Sequence, residues 1–248
     1  MCGIFGYIGN KEAGPILIEG LKKLEYRGYD SAGMVVLNSK NIHIKKCTGK
    51  VADLEKIYLE NPIKGVIGLG HTRWATHGGV TDKNSHPHTD ESGEVAVIHN
   101  GIIENFDVLR KSLEAEGHHF KSETDTEVLA HLIGAQLKNT DDIYEAVRMA
   151  LKEVKGAYAI GVIYKKAPGK IIVAKKSSPL VVGIGDNEVF IASDAPAFIQ
   201  YTNKVFFMKD FEMGVLTKDS AKFTNLEREE LKKDLVALSL KAEQIDKG

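Results

Sequence analysis

The residue most suited to nucleophilic chemistry is the second in the chain. Cys2 follows Met1 directly, and a side chain this small permits removal of the initiator methionine. Removal would leave a thiol, with a reference pKa of about 8.5, and a free amine, with a reference pKa of about 7.7–8.0, on one residue. That residue could supply both nucleophile and base. Composition alone also permits a plain buried cysteine in an apolar strand, because buried cysteine is common.

A second candidate region is the polar stretch 71–93, which is rich in His, Thr, Gly and Asp and poor in aliphatic residues. It is too polar for a core segment and too long for a simple turn, so we predict a functional loop. Arg73 lies in this loop, and its planar guanidinium could pair with a carboxylate through two parallel hydrogen bonds. The alternative is a solvated surface arginine.

The nine histidines, two of them in the pattern His86-x-His88, raise the question of a metal site. Their spacing matches no standard zinc pattern, and Cys47 has no cysteine near it in the sequence. The glycine-rich stretch 65–70 lacks the Lys-Ser/Thr pair of a phosphate-binding loop. We therefore expect neither a metal nor a nucleotide cofactor.

Composition narrows the class of protein. The chain has 248 residues, 43% of them hydrophobic, with 33 basic against 34 acidic residues. This balanced charge does not indicate binding to nucleic acid or to an anionic membrane. No apolar run approaches the roughly 20 residues that span a bilayer. The start has no basic signal region, and two cysteines cannot form a disulfide framework. We expect a compact cytoplasmic protein.

These candidates must be positioned by an α+β fold. Alternating apolar patterns predict strands at 2–8, 32–37, 42–46, 66–69, 94–99, 157–164, 171–175, 180–184, 188–192, 205–208 and 212–217. Helical spacing predicts helices from Pro15 and at 51–59, 105–116, 125–137 and 142–154, with Thr124 and Glu127 spaced as a capping box. Strand-rich ends around grouped helices predict two packed sheets with helices outside. We expect one domain over 1–225, followed by a charged terminal helix or linker over 226–248.

Several motifs in order resemble one enzyme family. They are Met1-Cys2-Gly3-Ile4, the segment Leu24 to Gly33 (LEYRGYDSAG), the segment Gly70 to Gly78 (GHTRWATHG), His86-Pro87-His88, the segment His99 to Asn105 (HNGIIEN) and the segment Ser122 to Glu127 (SETDTE). The chain thereby resembles the class II glutamine amidotransferases, which are N-terminal-nucleophile hydrolases. The sequences of these motifs are most similar to those of the family members that transfer ammonia to fructose 6-phosphate.

The resemblance implies a four-layer αββα sandwich with the nucleophile at the start of a central strand. It also implies a C-terminal sugar-isomerase domain in the full-length enzyme, which would be a homo-oligomer. The tail from Lys241 resembles the start of the linker to that domain. We therefore expect that the chain is an excised domain. The reaction implied by the resemblance requires no cofactor.

The resemblance also implies roles for individual residues. Arg73 would bind the α-carboxylate of glutamine, and Asp125 its α-ammonium, although Asp in the first turn of a helix is favoured by the helix dipole alone. Asn100 and Gly101 would form the oxyanion hole. Taken alone, an Asn-Gly pair indicates a turn.

Four further residues receive roles by the same resemblance. Trp74, Thr76 and His77 belong to the loop that closes over glutamine in the family. Arg27 would lie near the nucleophile, where a cation favours the thiolate, with Tyr29 nearby.

The expected reaction is hydrolysis of L-glutamine to L-glutamate and ammonia through a γ-glutamyl thioester on Cys2. Two alternatives remain open from the sequence. One is the same domain in a class II amidotransferase that serves another acceptor. The other is a non-catalytic glutamine-binding module in which Met1 is retained.

Overall fold

The structure, a computed structural model, describes residues 2–39, 41–75 and 77–239. Within these ranges fifteen strands are present: β1 (Gly3–Ile8), β2 (Ser31–Leu37), β3 (Ile42–Thr48), β4 (Ile67–Arg73), β5 (His88–Thr89), β6 (Val95–Ile103), β7 (Gly156–Tyr164), β8 (Ile171–Lys176), β9 (Val181–Ile184), β10 (Val189–Ala192), β11 (Lys204–Phe207), β12 (Glu212–Thr217), β13 (Ser220–Asn225), β14 (Glu230–Leu231) and β15 (Val236–Ala237).

Five α-helices accompany the strands of the described ranges: α1 (Ala13–Lys22), α2 (Val51–Glu60), α3 (Phe106–Ala115), α4 (Asp125–Gln136) and α5 (Ile143–Glu153). Three single-turn 3₁₀ helices lie at Glu25–Arg27, Asp82–Asn84 and Ala195–Ala197. No helix in the described part of the chain is long and apolar enough to cross a membrane.

The strands form two antiparallel sheets. The first has the order β15-β11-β9-β10-β1-β4-β2-β3, and the second has the order β14-β13-β12-β8-β7-β6-β5. β1 lies in the interior of the first sheet, where Gly3 pairs with Thr72 of β4 and Phe5 pairs with both Gly70 and Ala192. β6 lies between β5 and β7 in the second sheet.

Three apolar cores separate four layers. One core lies between the sheets and contains Ile4, Leu69 and Ile98, all fully buried. A second core joins α1 and α2 to the first sheet, and a third joins α3, α4 and α5 to the second. Because each sheet is apolar on both faces, each needs a partner on both sides, and the result is the αββα sandwich that was expected.

Most predicted elements are present with shifted ends, but the polar stretch 71–93 differs from the prediction. Its first three residues belong to β4, and His71, Thr72 and Arg73 are almost completely buried. β4 pairs with β1 on one side and β2 on the other, so its polar residues keep their backbone hydrogen bonds inside the fold. The interpretation of this part as a loop too polar for the core was wrong.

Two further local predictions require correction. Thr124 caps α4 by accepting the N–H of Glu127, but the carboxylate of Glu127 accepts from Ser122 and Lys121 and does not close a capping box. In the tail, residues 226–239 contain β14 and β15 where a terminal helix was one expectation. Residues 240–248 lie outside the described part.

Candidate active site

Cys2 lies immediately before β1, at the end of an interior strand. Its Sγ accepts a hydrogen bond from the backbone N–H of Trp74 at 3.1 Å. Burial raises the pKa of the Cys2 thiol, and the Trp74 N–H and the Arg73 charge offset part of that increase. The thiol is therefore predominantly protonated at neutral pH, and attack on an electrophile needs a base to remove its proton.

The backbone of Cys2 is held by two side chains. Arg27, at the end of the 3₁₀ helix Glu25–Arg27, donates from Nε to the Cys2 carbonyl at 3.1 Å. Asn100 donates from Nδ2 to the same carbonyl at 3.2 Å. The predicted placement of Arg27 beside the nucleophile is therefore observed, through the backbone of Cys2.

Gly28 follows that 3₁₀ helix and allows Trp74 to approach it. Gly28 has a φ of +115°, and a Cβ there would lie 2.6 Å from Cε3 of the Trp74 ring. Trp74 is 55% exposed, so its ring is not the core anchor that a lone tryptophan often provides. Tyr29, expected near Cys2, is absent from the lining of the cleft around Cys2, and the Lys50 ammonium lies over its ring.

Asn100 lies within β6, opposite Ala159 of β7, so the alternative of an Asn-Gly turn is wrong. Its amide is held from both ends. His71 Nε2 lies 2.9 Å from Asn100 Oδ1 and 3.0 Å from the His99 carbonyl, and since both oxygens accept, this nitrogen must carry the hydrogen. The Asn100 Nδ2 group donates to Ser193 Oγ at 3.0 Å as well as to Cys2.

Burial lowers the pKa of His71 to about 3, so this imidazole is neutral. With the hydrogen on Nε2, its Nδ1 is an acceptor, and that atom is buried without a partner among the described residues. The His71 ring stacks on His86 with 4.0 Å between ring centroids. A neutral, fixed imidazole therefore positions the Asn100 amide without bringing a charge into the site.

Gly101 has a backbone conformation that other residues rarely adopt. Its φ is +132°, and a Cβ would lie 2.1 Å from the carbonyl oxygen of Ala157 on β7. Both the conformation and the space therefore require glycine here. The rotated backbone places residue 101 on the wall of the cleft.

Arg73 ends β4 and is 3% exposed. Its guanidinium donates to the carbonyls of His77, Gly78 and Gly79, and so holds the loop that follows β4. No carboxylate within residues 2–39, 41–75 and 77–239 lies at ion-pair distance from Arg73. The alternative of a solvated surface arginine is wrong, and an anionic ligand could still pair with this buried charge.

Asp125 occupies the first turn of α4 and is 5% exposed. One carboxylate oxygen accepts the backbone N–H of Ile103, the last residue of β6, at 2.9 Å. His99 Nδ1 lies 3.9 Å from the same oxygen and 3.0 Å from Thr126 Oγ1. The helix start and the end of β6 together fix this carboxylate at the cleft.

The loop after β4 contributes His77, whose ring meets Phe106 edge-on with 4.9 Å between centroids. His77 Nδ1 is buried without a partner among the described residues. Thr76, which received a substrate role by resemblance, lies outside the described residues.

These side chains meet at one cleft of about 730 Å³. Its wall is formed by Cys2, Arg27, Arg73, Trp74, His77, His86, His99, Asn100, Gly101, Ile102, Glu104, Thr124, Asp125, Thr126, Ala157, Ser178 and Pro179. Every described residue to which the sequence assigned a catalytic or substrate role lies on this wall. The arrangement joins a thiol, amide and backbone groups, a buried cation and a buried carboxylate within one space.

Sequence reasoning missed Ser178, Pro179 and Ser193. The first two lie between β8 and β9 beside Ser177, which has a φ of +68°. Ser193, just after β10, accepts both the Ile4 N–H and the Asn100 amide. The Ser-Pro pair signals a turn, but no local pattern indicates that this turn borders the cleft.

Comparison with known proteins identifies the family of the chain. Residues 43–228 match the family model described as a glutamine amidotransferase domain. The chain is 50% identical over 248 residues to glutamine–fructose-6-phosphate aminotransferase [isomerizing] from Clostridium tetani and to the enzyme of that name from Caldanaerobacter subterraneus. The match covers 100% of this chain and 40% of each relative, so the chain spans less than half their length.

The fold has solved relatives as well. Glutamine phosphoribosylpyrophosphate amidotransferase from B. subtilis, in a complex with ADP and GMP, superposes with a TM-score of 0.77 at 28% identity. The superposition covers 91% of this chain and 49% of that one. With the matching domain model and the two sheets that carry the cleft, the chain belongs to the glutamine amidotransferase family.

Proposed function

We propose that this chain hydrolyses L-glutamine to L-glutamate and ammonia, with Cys2 as the nucleophile. The observation that carries the proposal is the convergence on one cleft of the Cys2 thiol, the Asn100 amide and the buried charges of Arg73 and Asp125. Glutamine has a carboxamide for the thiol and two opposite charges for the two anchors.

The chemistry begins with removal of Met1, which frees the α-amino group of Cys2. This amine, through a water molecule, takes the thiol proton, and Sγ attacks the side-chain carboxamide carbon of glutamine. The negative charge that develops on the carboxamide oxygen is stabilised by Asn100 and Gly101. The protonated amine then gives its proton to the leaving nitrogen, and ammonia departs. Water attacks the resulting γ-glutamyl thioester, glutamate is released and the thiol is restored.

We assign binding of the substrate α-carboxylate to Arg73 and of the α-ammonium to Asp125. Both side chains are already fixed, Arg73 by loop carbonyls and Asp125 by the Ile103 N–H. Fixed, buried charges bind a zwitterion at a small ordering cost. Trp74, Thr76 and His77 would cover the bound amino acid, and Arg27 would keep the Cys2 backbone in place.

The destination of the ammonia is a separate proposal. Both relatives cited above are fructose-6-phosphate aminotransferases, and this chain spans 40% of their length. We infer that the chain is the glutaminase part of such an enzyme, with a sugar-isomerase domain as partner and glucosamine 6-phosphate as product. Two free cysteines, Cys2 and Cys47, support a reducing cytoplasmic location.

The test is intact mass before and after incubation with an electrophilic diazo-ketone analogue of glutamine. We expect loss of Met1, then one adduct that maps to Cys2 and that excess glutamine prevents. Cys2→Ala should take no adduct and release no ammonia. Cys47→Ala is the matched control and should behave like the parent chain, because burial raises the pKa of the Cys47 thiol to about 11. A Cys2→Ala variant that releases ammonia at the parent rate contradicts the proposal. A chain that has lost Met1 and binds glutamine without hydrolysing it supports the alternative of a binding module.

The two anchors are tested by substrate dependence. Asp125→Asn keeps an acceptor for the Ile103 N–H but removes the charge, so KM for glutamine should rise by about 10-fold or more. Arg73→Lys should raise KM in the same direction, because a lysine cannot form the bidentate pair. An unchanged KM in both variants excludes the assigned anchors.

A further inference from the structure

A second cluster of potential ligands lies outside the cleft. Glu91 is in the turn between β5 and β6, His118 is in the connection from α3 to α4, and His131 is on α4. One donor atom from each of these three residues lies within 4.8 Å of the other two. Glutamine hydrolysis as proposed above uses none of them.

The distances resemble those of a coordination shell. The Nδ1 atoms of His118 and His131 are 3.1 Å apart, and His131 Nδ1 is 3.8 Å from Glu91 Oε2. Ligands at about 2.0–2.1 Å from a tetrahedral zinc are separated by about 3.3 Å. The 3.1 Å contact is a hydrogen bond between the two imidazoles, and an ion that replaced its hydrogen would be bound by both Nδ1 atoms, with Glu91 moving toward the ion as the third ligand.

The surroundings hold the ligands in orientation. His131 Nε2 lies 3.9 Å from the buried carboxylate of Glu127, which could accept the Nε2 hydrogen when a metal ion occupies Nδ1. Phe120 stacks on the His131 ring with 4.4 Å between centroids. Glu91 is positioned by the backbone N–H of His119 at 2.7 Å.

The degree of burial fits a three-ligand site. His118 and His131 are 8% and 1% exposed, whereas Glu91 is exposed. An ion held by these atoms would face the protein on one side and solvent on the other. Two imidazoles and one carboxylate are ligands that suit Zn²⁺.

We propose that Glu91, His118 and His131 bind one Zn²⁺ or a similar divalent transition-metal ion, with the fourth position taken by water. The ion would join three segments that are distant in sequence: the β5–β6 turn, the α3–α4 connection and α4. His131 is six residues after Asp125 on α4, a separation of about 9 Å along the helix axis. The ion would thereby stabilise the helix whose first turn reaches the cleft.

The experiment uses the full 248-residue chain after chelation, in a Cys2→Ser background so that the active-site thiol cannot bind the probe. Titration with Zn²⁺ in a calorimeter should give one ion per chain, and Co²⁺ should give the visible absorption of a four-coordinate complex. The melting temperature should rise by about 4 °C or more at saturating Zn²⁺. His118→Gln and Glu91→Gln should each weaken Zn²⁺ binding by about 10-fold or more.

Two matched controls separate this site from general binding. His43→Gln removes a histidine on β3, and Glu94→Gln removes a nearby carboxylate that pairs with Lys166. Both should bind Zn²⁺ like the Cys2→Ser chain. Glu91→Gln changes an exposed side chain, so it tests the site even if His118→Gln fails to fold. Absence of one-to-one binding in the Cys2→Ser chain, or Zn²⁺ binding that neither ligand variant weakens, overturns the proposal.

Discussion

His71 and Asn100 are joined by a 2.9 Å hydrogen bond from the imidazole Nε2 to the amide Oδ1, between neighbouring layers of the fold. His71 is on β4 of the first sheet and Asn100 is on β6 of the second. The bond determines which way the amide points. Its nitrogen donates to the Cys2 carbonyl and to Ser193 Oγ, beside the thiol, where the proposed reaction needs a donor for the oxyanion.

This relationship predicts that His71 acts on the rate through Asn100. His71→Ala should lower kcat for glutamine hydrolysis by about 10- to 100-fold, since small misplacements of a catalytic group have effects of this size. KM should remain near the parent value. His71→Gln carries an amide N–H in place of the ring N–H and should restore most of the rate. Equal kcat in His71→Ala and the parent chain would show that the amide holds its position alone.

Ser193 predicts a loss of stability that the sequence does not indicate. Ser193→Ala leaves the Ile4 N–H and one hydrogen of the Asn100 amide without their acceptor inside the fold. The free energy of unfolding should fall by about 1–3 kcal/mol, as measured by urea denaturation. Ser112→Ala, on the exposed face of α3, is the control and should stay within about 0.5 kcal/mol. A loss no larger than that of the control means that water replaces Ser193 without cost.

Replacement of Gly101 should destabilise the protein, because the backbone at this position suits only glycine. Gly101→Ala places a methyl group 2.1 Å from the Ala157 oxygen at a φ of +132°. The free energy of unfolding should fall by about 2–5 kcal/mol, and hydrolysis should decline even in the folded fraction. Gly169→Ala, where a Cβ meets nothing within 4 Å, should leave both quantities nearly unchanged. The comparison requires denaturation curves and rates for the two variants side by side.

Buried histidines predict sensitivity to acid. Burial lowers the pKa of His71 to about 3 and lowers the pKa of His86 and His88 well below the ordinary value. In the unfolded chain each titrates near about 6.5, so the unfolded state binds more protons as the pH falls. The neutral, buried imidazoles therefore contribute their full stabilisation above about pH 6.5, and this stabilisation is lost as the pH falls toward 3.

The slope should approach about 1.4 kcal/mol per pH unit for each of the three groups well below pH 6.5. Denaturation between pH 7.5 and 5.0 measures it before most carboxylates contribute. His88→Gln should reduce the slope by about 1.4 kcal/mol per pH unit, which is the contribution of one proton. A parent slope near zero in this window would mean that these imidazoles accept protons in the folded state.

The sequence predicted the helices well because each has an apolar pattern that local spacing reveals. α2 starts at Val51 and α5 ends at Glu153, within a residue of the predicted ends. In α4 the spacing predicted the helix but not its burial, since the residues from Asp125 to Ile133 are buried on every face of the helix, polar ones included. The second sheet, α3 and α5 pack around this helix, and no local pattern predicts that it is enclosed.

The candidate site was predictable to the extent that it lies in the first half of the chain, where the motifs are dense. The roles of Arg73 and Asp125 came from resemblance, and the structure adds their partners. Ser193 and Pro179 reach the site only because β9 and β10 pair beside β1 in the first sheet. Such long-range antiparallel pairing depends on the whole fold and leaves no signal in the residues themselves.

The two sheets each supply part of the cleft, Cys2 and Arg73 from one and Asn100 and Gly101 from the other. The distance between Cys2 and Asn100, the proposed nucleophile and oxyanion donor, therefore depends on how one sheet is positioned relative to the other. Ile4, Leu69 and Ile98 belong to the apolar core between the sheets, and this core is the spacer that sets their separation. Changes in this spacer should alter turnover without touching the substrate, and the catalytic rate would then report on how the two sheets are aligned.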